Sequence, residues 1–208
     1  MTKRGMLTLA GLLVLCLGVA PAVPESPAPV SSASTSIAAL HTALLDVMQN
    51  AEALGYEGRT QKLVPVIPRY FDVEFMARKA VGRHWKTASP EEKRRYLEAF
   101  GRFMVANWAG RLDGYSGQHF ETLGEKPARS ETLLVTTQLV DPTDKNVELS
   151  YRLRETPDGW RIIDVYMDGT VSELALRRSE FASVAKREGF DALIQTLEAK
   201  IQKLAAGG

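Results

Sequence analysis

The 208-residue chain carries 26 lysines and arginines against 25 aspartates and glutamates, a formal net charge of +1 at pH 7. So balanced a charge leaves no electrostatic footprint for nucleic acid and no polybasic membrane anchor. The one cysteine, Cys16, lies in the N-terminal segment, so a chain without that segment has neither disulfides nor thiol catalysis.

Lys3 and Arg4 precede an almost purely apolar run from Met6 to Leu17, followed by small residues and proline. That is the charge, core and cleavage layout of a secretory signal, and the run is too short to span a bilayer stably. Ala20-Pro21-Ala22 offers an A-x-A site, so residues 1–22 are expected to be a signal peptide cleaved after Ala22. Leu15 stands where a lipoprotein signal needs a small residue, which argues against lipid attachment at Cys16. Residues 23–36, rich in Pro, Ala and Ser, read as a flexible leader. Residues 37–208 then form a single domain long enough to bury a good core.

Residues 37–54 have apolar side chains at helical spacing (Ile37, Leu40, Leu44, Val47, Met48), and Gly55 ends the pattern. A second pattern over 60–69 contains Pro65 and Pro68 and is expected to be short and bent. Residues 72–81 read as a third helix with Asp72 as N-cap and Gly82 as its end. Ser89-Pro90-Glu91-Glu92 is a capping box with proline at the first helical position. It opens a helix with a wide apolar stripe through Tyr96, Phe100, Phe103, Met104 and Trp108, expected to end near Asp113-Gly114. The period then changes. Gln118 to Leu123, Leu133 to Val140, Val147 to Arg154 and Trp160 to Met167 read as strands, the last two joined by a Pro157-Asp158-Gly159 turn. Helix returns over 171–187 and, after Gly189, over 190–204. The fold class is therefore α+β: an antiparallel sheet of about four strands, covered on one face by helices from the N- and C-terminal parts.

No catalytic constellation, metal site or cofactor motif is assigned. Gly114-Tyr115-Ser116-Gly117 fails the G-x-S-x-G spacing and reads as a turn. His41, His84 and His119 lack metal-ligand spacing. His84 reads as a helix-end residue, and Asp164 as a strand residue that pairs with an arginine or faces water in preference to being a buried acid. Lys93-Arg94-Arg95 belongs to a solvated helix face. Apolar bulk is what stands out, and periodicity alone does not separate a filled core from one that contains a cavity.

Several short motifs occur in order: Phe71-Asp72, Met76-Ala77-Arg78, Gly82-Arg83-His84-Trp85, Ser89-Pro90-Glu91 and Phe100, then Tyr151-Arg152-Leu153, Gly159-Trp160, Asp164-Val165, Asp168-Gly169 and Arg178-Ser179-Glu180-Phe181. From about Leu40 to the C-terminus the chain resembles the MlaC (toluene-tolerance) family of periplasmic lipid-binding proteins. One segment departs from the common pattern, in which Gly-Val-Ser leads to Tyr-Arg-Ser-x-Phe. Here Gly169-Thr170-Val171-Ser172 leads to Arg177-Arg178-Ser179-Glu180-Phe181, one residue longer and without the tyrosine. That looks closer to the family's hopanoid-biosynthesis-associated branch, and it leaves the cargo open between a phospholipid and a hopanoid.

The resemblance implies a periplasmic, non-enzymatic lipid shuttle with an internal apolar cavity, expected to be a monomer. It would work between inner-membrane ABC/MCE transport machinery and an outer-membrane complex. The helical residues expected to meet lipid are Phe71, Phe75, Met76, Trp85, Phe100, Phe103, Met104, Trp108 and Tyr115. From the sheet they are Val135, Leu149, Tyr151, Ile163, Val165 and Met167. Arg178 is read as a surface ion pair or a contact to a head group or transporter. Two other readings stand beside the shuttle: a periplasmic enzyme acting on a lipid, with His84 and Asp164 as candidates, and a ligand-free adaptor with a filled core.

Overall fold

A computed structural model describes residues 32–207. The expected signal peptide, Cys16 and the leader as far as residue 31 lie outside the described residues. Helix α1 (Ser32–Gln49) starts before Ile37, so the last residues assigned to the leader are helical. Ser34 explains the earlier start: its backbone N–H and hydroxyl donate to Glu125 Oε2 (3.2 and 2.5 Å) and tie the first turn of α1 to the sheet.

Helix α2 (Ala51–Leu63) follows almost without a break and bends at Gly55, whose φ of +57° is costly for any residue with a Cβ. The expected stop at Gly55 is thus a kink. Helix α3 (Val66–Tyr70) is the short, proline-bounded piece. In α4 (Val73–Val81) the Asp72 carboxylate accepts the Phe75 N–H (3.0 Å), and Gly82 ends the helix at positive φ before a 3-10 turn over Gly82–Lys86. Helix α5 (Pro90–Ala109) has the full capping box: Glu92 N–H donates to Ser89 Oγ (3.2 Å) and Ser89 N–H to Glu92 Oε2 (2.7 Å). It ends at Ala109, earlier than the sequence pattern suggests.

The ending is held by Arg59, only 3% exposed, which donates to the carbonyls of Ala109 (3.0 Å) and Ala51 (3.3 Å). The negative end of the α5 dipole offsets part of the cost of burying this cation.

The sheet is an antiparallel meander in the order β1-β2-β3-β4-β5: β1 (His119–Ala128), β2 (Thr132–Val140), β3 (Val147–Thr156), β4 (Gly159–Met167) and the two-residue β5 (Val171–Ser172). The fifth strand is too short to be visible in sequence periodicity. Helix α6 (Glu173–Ala206) completes the fold and is broken at Gly189 (φ +83°), as its sequence suggested. Register sets the buried face: Val135 pairs with Tyr151, and Tyr151 with Val165. A slip between Arg152 and Leu153 then puts Ile162, rather than Ile163, opposite Leu153. The helices pack over this face and bury Leu40, Leu44, Tyr96, Phe100 and Phe181 against it.

His41 joins α1 to the sheet. Its ring stacks on Phe120 (3.7 Å between centroids, 8° between planes), and Nε2 lies 3.1 Å from Tyr151 Oη. Burial pushes its pKa down from 6.5 to about 3. Between those values the unfolded chain takes up a proton that the folded chain refuses, so stability falls as pH falls. The expected slope from this group is up to about 1.4 kcal/mol per pH unit. Denaturant unfolding of wild type and His41→Gln from pH 7 to pH 4 checks it: the variant should show the shallower decline, and parallel curves would exclude His41 as the cause.

Candidate functional site

The apolar stripe of α5 faces α4 on one side and α6 on the other, with β4 beneath. Where the four meet is a cleft lined by Phe71, Met76, Phe100, Phe103, Met104, Trp108 and Val165. All seven are at most 8% exposed. Their rings pack edge to face or tilted: Phe71 on Trp108 at 5.6 Å, Phe103 on Phe181 at 5.8 Å, Phe100 on Phe181 at 6.3 Å. Such geometry is favoured by aromatic quadrupoles and fills space efficiently. The space left is about 40 Å³, room for little more than one water molecule.

The mouth of this cleft is polar. Arg111, two residues past the end of α5, donates to Glu173 Oε1 at 2.8 Å, and Arg177 reaches Glu173 Oε2 at 3.3 Å. The Arg177 guanidinium also sits 4.9 Å over the Phe103 ring, while Asn107 and Leu174 close the rim. Of these mouth residues only Arg177 stands out in the sequence, within the departing 169–181 segment; Arg111 and Glu173 read as a wet helix face.

The first turn of α6 is held to the sheet by Asp164 on β4, 7% exposed. Its Oδ1 accepts the N–H groups of Val165 (2.8 Å) and Leu174 (3.1 Å), and its Oδ2 accepts the Ser172 hydroxyl (2.6 Å). Ser172 Oγ in turn accepts the Ala175 N–H (2.9 Å). Asp164 is therefore a buried acid spent on capping α6, neither facing water nor paired with an arginine. His84 lies in the 3-10 turn, where its carbonyl accepts both the N–H and the hydroxyl of Thr87.

The other expected lipid contacts are distributed elsewhere. Val135, Leu149 and Tyr151 are core residues of the sheet, Met167 packs at its margin, and Ile163 is buried outside the main core cluster. Tyr115 is 42% exposed in the turn before β1. Phe75 and Trp85 line a separate open groove of about 720 Å³ with Arg78, Arg83, Lys86 and Arg178. There Arg154 lies over Phe75 at 4.7 Å and bonds Asp72 Oδ2 through Nε at 2.6 Å. Arg178 makes no ion pair among the described residues. No group of three or more His, Cys, Asp or Glu able to hold a metal occurs among them, and no described helix is long and apolar enough to cross a membrane.

Residues 38–199 match the family model described as MlaC protein. The chain belongs to the MlaC family. It is 22% identical over 133 residues to the intermembrane phospholipid transport system binding protein MlaC of Haemophilus influenzae, and the match spans 62% of each chain. In three dimensions it resembles a phospholipid-binding protein of Ralstonia solanacearum solved in complex with a phospholipid. The TM-score is 0.73 at 22% identity, covering 84% of this chain and 99% of that one. The α+β fold read from the sequence is thus the fold of a solved relative.

The Asp164 cap yields a direct expectation. Asp164→Ala leaves one buried and two partly buried donors without their acceptor and should cost on the order of 3 kcal/mol. Hydrogen exchange should accelerate at residues 172–178, while the segment beyond Gly189 keeps its protection. Uniform acceleration along α6 would contradict a local anchor.

Proposed function

We propose that this protein is a periplasmic carrier that takes a membrane lipid into the α5–α6 cleft. The observation that carries the reading is the cleft itself: seven apolar side chains, from α4, α5, β4 and Phe71 just before α4, converge beneath a polar mouth, in a chain of the MlaC family. Two adaptable methionines, Met76 and Met104, belong to that lining. The names of the relatives support a phospholipid as cargo. The departure at residues 169–181 keeps a hopanoid as the second candidate, since Arg177 falls in that segment and also lines the mouth.

A carrier needs no catalytic group. A diacyl lipid exposes roughly thirty methylenes, and at about 0.8 kcal/mol each, crossing water unaided costs on the order of 20 kcal/mol. An apolar cleft that replaces the bilayer removes most of that barrier. Sites for drug-sized ligands hold about 300–1,000 Å³, so a space of about 40 Å³ must widen to load. The movement this calls for is of α6 against α5, followed by re-closure after handover. Donor and acceptor in this reading are inner-membrane ABC/MCE machinery and an outer-membrane complex, with the basic groove around Arg178 as the surface offered to acidic partners.

Native mass spectrometry of protein secreted to the periplasm, followed by lipid extraction, tests the proposal. One lipid per chain is expected, and its mass separates phospholipid from hopanoid. Bare polypeptide that also takes up nothing from vesicles would leave a filled-core adaptor as the better reading. Turnover of the lipid that is lost in His84→Ala or Asp164→Asn would support the enzyme instead.

A further inference from the structure

Beside the cleft, on the far side of Arg177, is an open groove of about 290 Å³. It is lined by Lys200 and Lys203 from the last turns of α6, together with Leu204. Phe103, Asn107 and Arg177 line both spaces, so these three side chains form the partition between them. The groove lining contains three cations and no carboxylate. Around the whole mouth, four cations (Arg111, Arg177, Lys200, Lys203) face two carboxylates, Glu173 and Glu180. Lys200 pairs with Glu180 at 2.6 Å, whereas Lys203 makes no ion pair among the described residues. A local excess of positive charge on a chain of near-zero net charge calls for an anionic ligand.

We propose that this groove receives the phosphate of a lipid headgroup, bound chiefly by Arg177 and Lys203, while the acyl chains occupy the cleft. The inference rests on the carrier reading. Arg177 is suited to the exchange. Its guanidinium is shared between Glu173 (3.3 Å) and Glu180 (3.9 Å) and is 23% exposed, so it keeps contact with water. A phosphate offers two oxygens to the same planar donor fork and brings its charge from outside. Turning Arg177 off the Phe103 face toward the groove also takes the charged member out of the partition. One rotation then loosens the rim ahead of the α6 movement and positions the cation for the phosphate. The ion pairs with Glu173 and Glu180 hold the partition closed until a phosphate competes for the guanidinium.

The test is a competition on the full exported chain. Protein is incubated with phosphatidylglycerol vesicles containing a minor fraction of dioleoylglycerol, which has the chains but no phosphate. The bound lipids are extracted and their ratio is compared with that in the vesicles. Wild type should enrich phosphatidylglycerol about tenfold over dioleoylglycerol, as a charge-assisted phosphate contact requires. Arg177→Gln and Lys203→Gln, each checked for an unchanged melting temperature, should bring the ratio toward that of the vesicles. Lys203 lies on an exposed last turn, so its variant remains informative if Arg177→Gln folds poorly. Equal enrichment in wild type and both variants would overturn the headgroup site and leave carriage standing. Uptake of neither lipid by wild type would overturn carriage and the site together. Inorganic phosphate that binds lipid-free protein through Arg177 and Lys203, with no enrichment of phosphatidylglycerol, would mean that the groove binds a free anion rather than a headgroup.

Discussion

Asp164 determines how the mouth of the cleft is built. Its two oxygens accept the Ser172 hydroxyl and the Leu174 N–H, which fixes where α6 leaves the sheet. Everything on the lip follows from that departure point. Glu173 lands between Arg111 and Arg177, Leu174 turns inward, and Phe181 reaches Phe100 and Phe103 two turns later. A charge-assisted cap of this kind is strong and short in range, so it fixes the first turn and leaves the rest of the helix to packing. Gly189, at a φ only glycine adopts freely, ends the segment so anchored. The part of α6 that borders the cleft therefore lies between a hydrogen-bonded root and a backbone break.

The interior poses the opposite constraint. Protein cores pack like organic crystals, and here the aromatic rings of α5 and α6 close nearly all of the space over Val165. A filled cleft and a lipid-binding cleft are compatible if the same side chains can exchange contacts with one another for contacts with an acyl chain. Both sets are apolar, so the exchange is close to neutral in hydrophobic terms. What resists opening is then the polar rim, where Glu173 bridges two arginines at 16% exposure. A partly buried ionic rim over an apolar interior is a latch whose partners can be replaced by another anion.

Much of this was legible in the sequence wherever the signal is local. The Ser89 capping box, Asp72 as N-cap, the breaks at Gly82 and Gly189 and the strand meander all depend on residues within one turn or one hairpin. The apolar lining from Phe71 to Val165 was legible too, through helical and strand periodicity together with family resemblance. What stayed hidden depends on distant partners. Ser34 extends α1 because Glu125 waits on β1, and Arg59 ends α5 by reaching the Ala109 carbonyl. Asp164 alternates along β4 like any exposed polar residue, and only the fold returns residues 172–174 to it. Phe75 and Trp85 share the periodicity of the core but turn into the basic groove. For the same reason Arg111 and Glu173 on the rim read as ordinary helix surface, although they border the cleft.

The central claim is that acyl chains enter the space beside Trp108. Of the three tryptophans, Trp85 and Trp160 can be replaced by phenylalanine so that fluorescence reports on Trp108 alone. Loading that variant with a phospholipid brominated along its chains should quench the Trp108 emission strongly, and the unbrominated lipid should not. Full emission from a variant that carries one brominated lipid per chain by mass would contradict the claim.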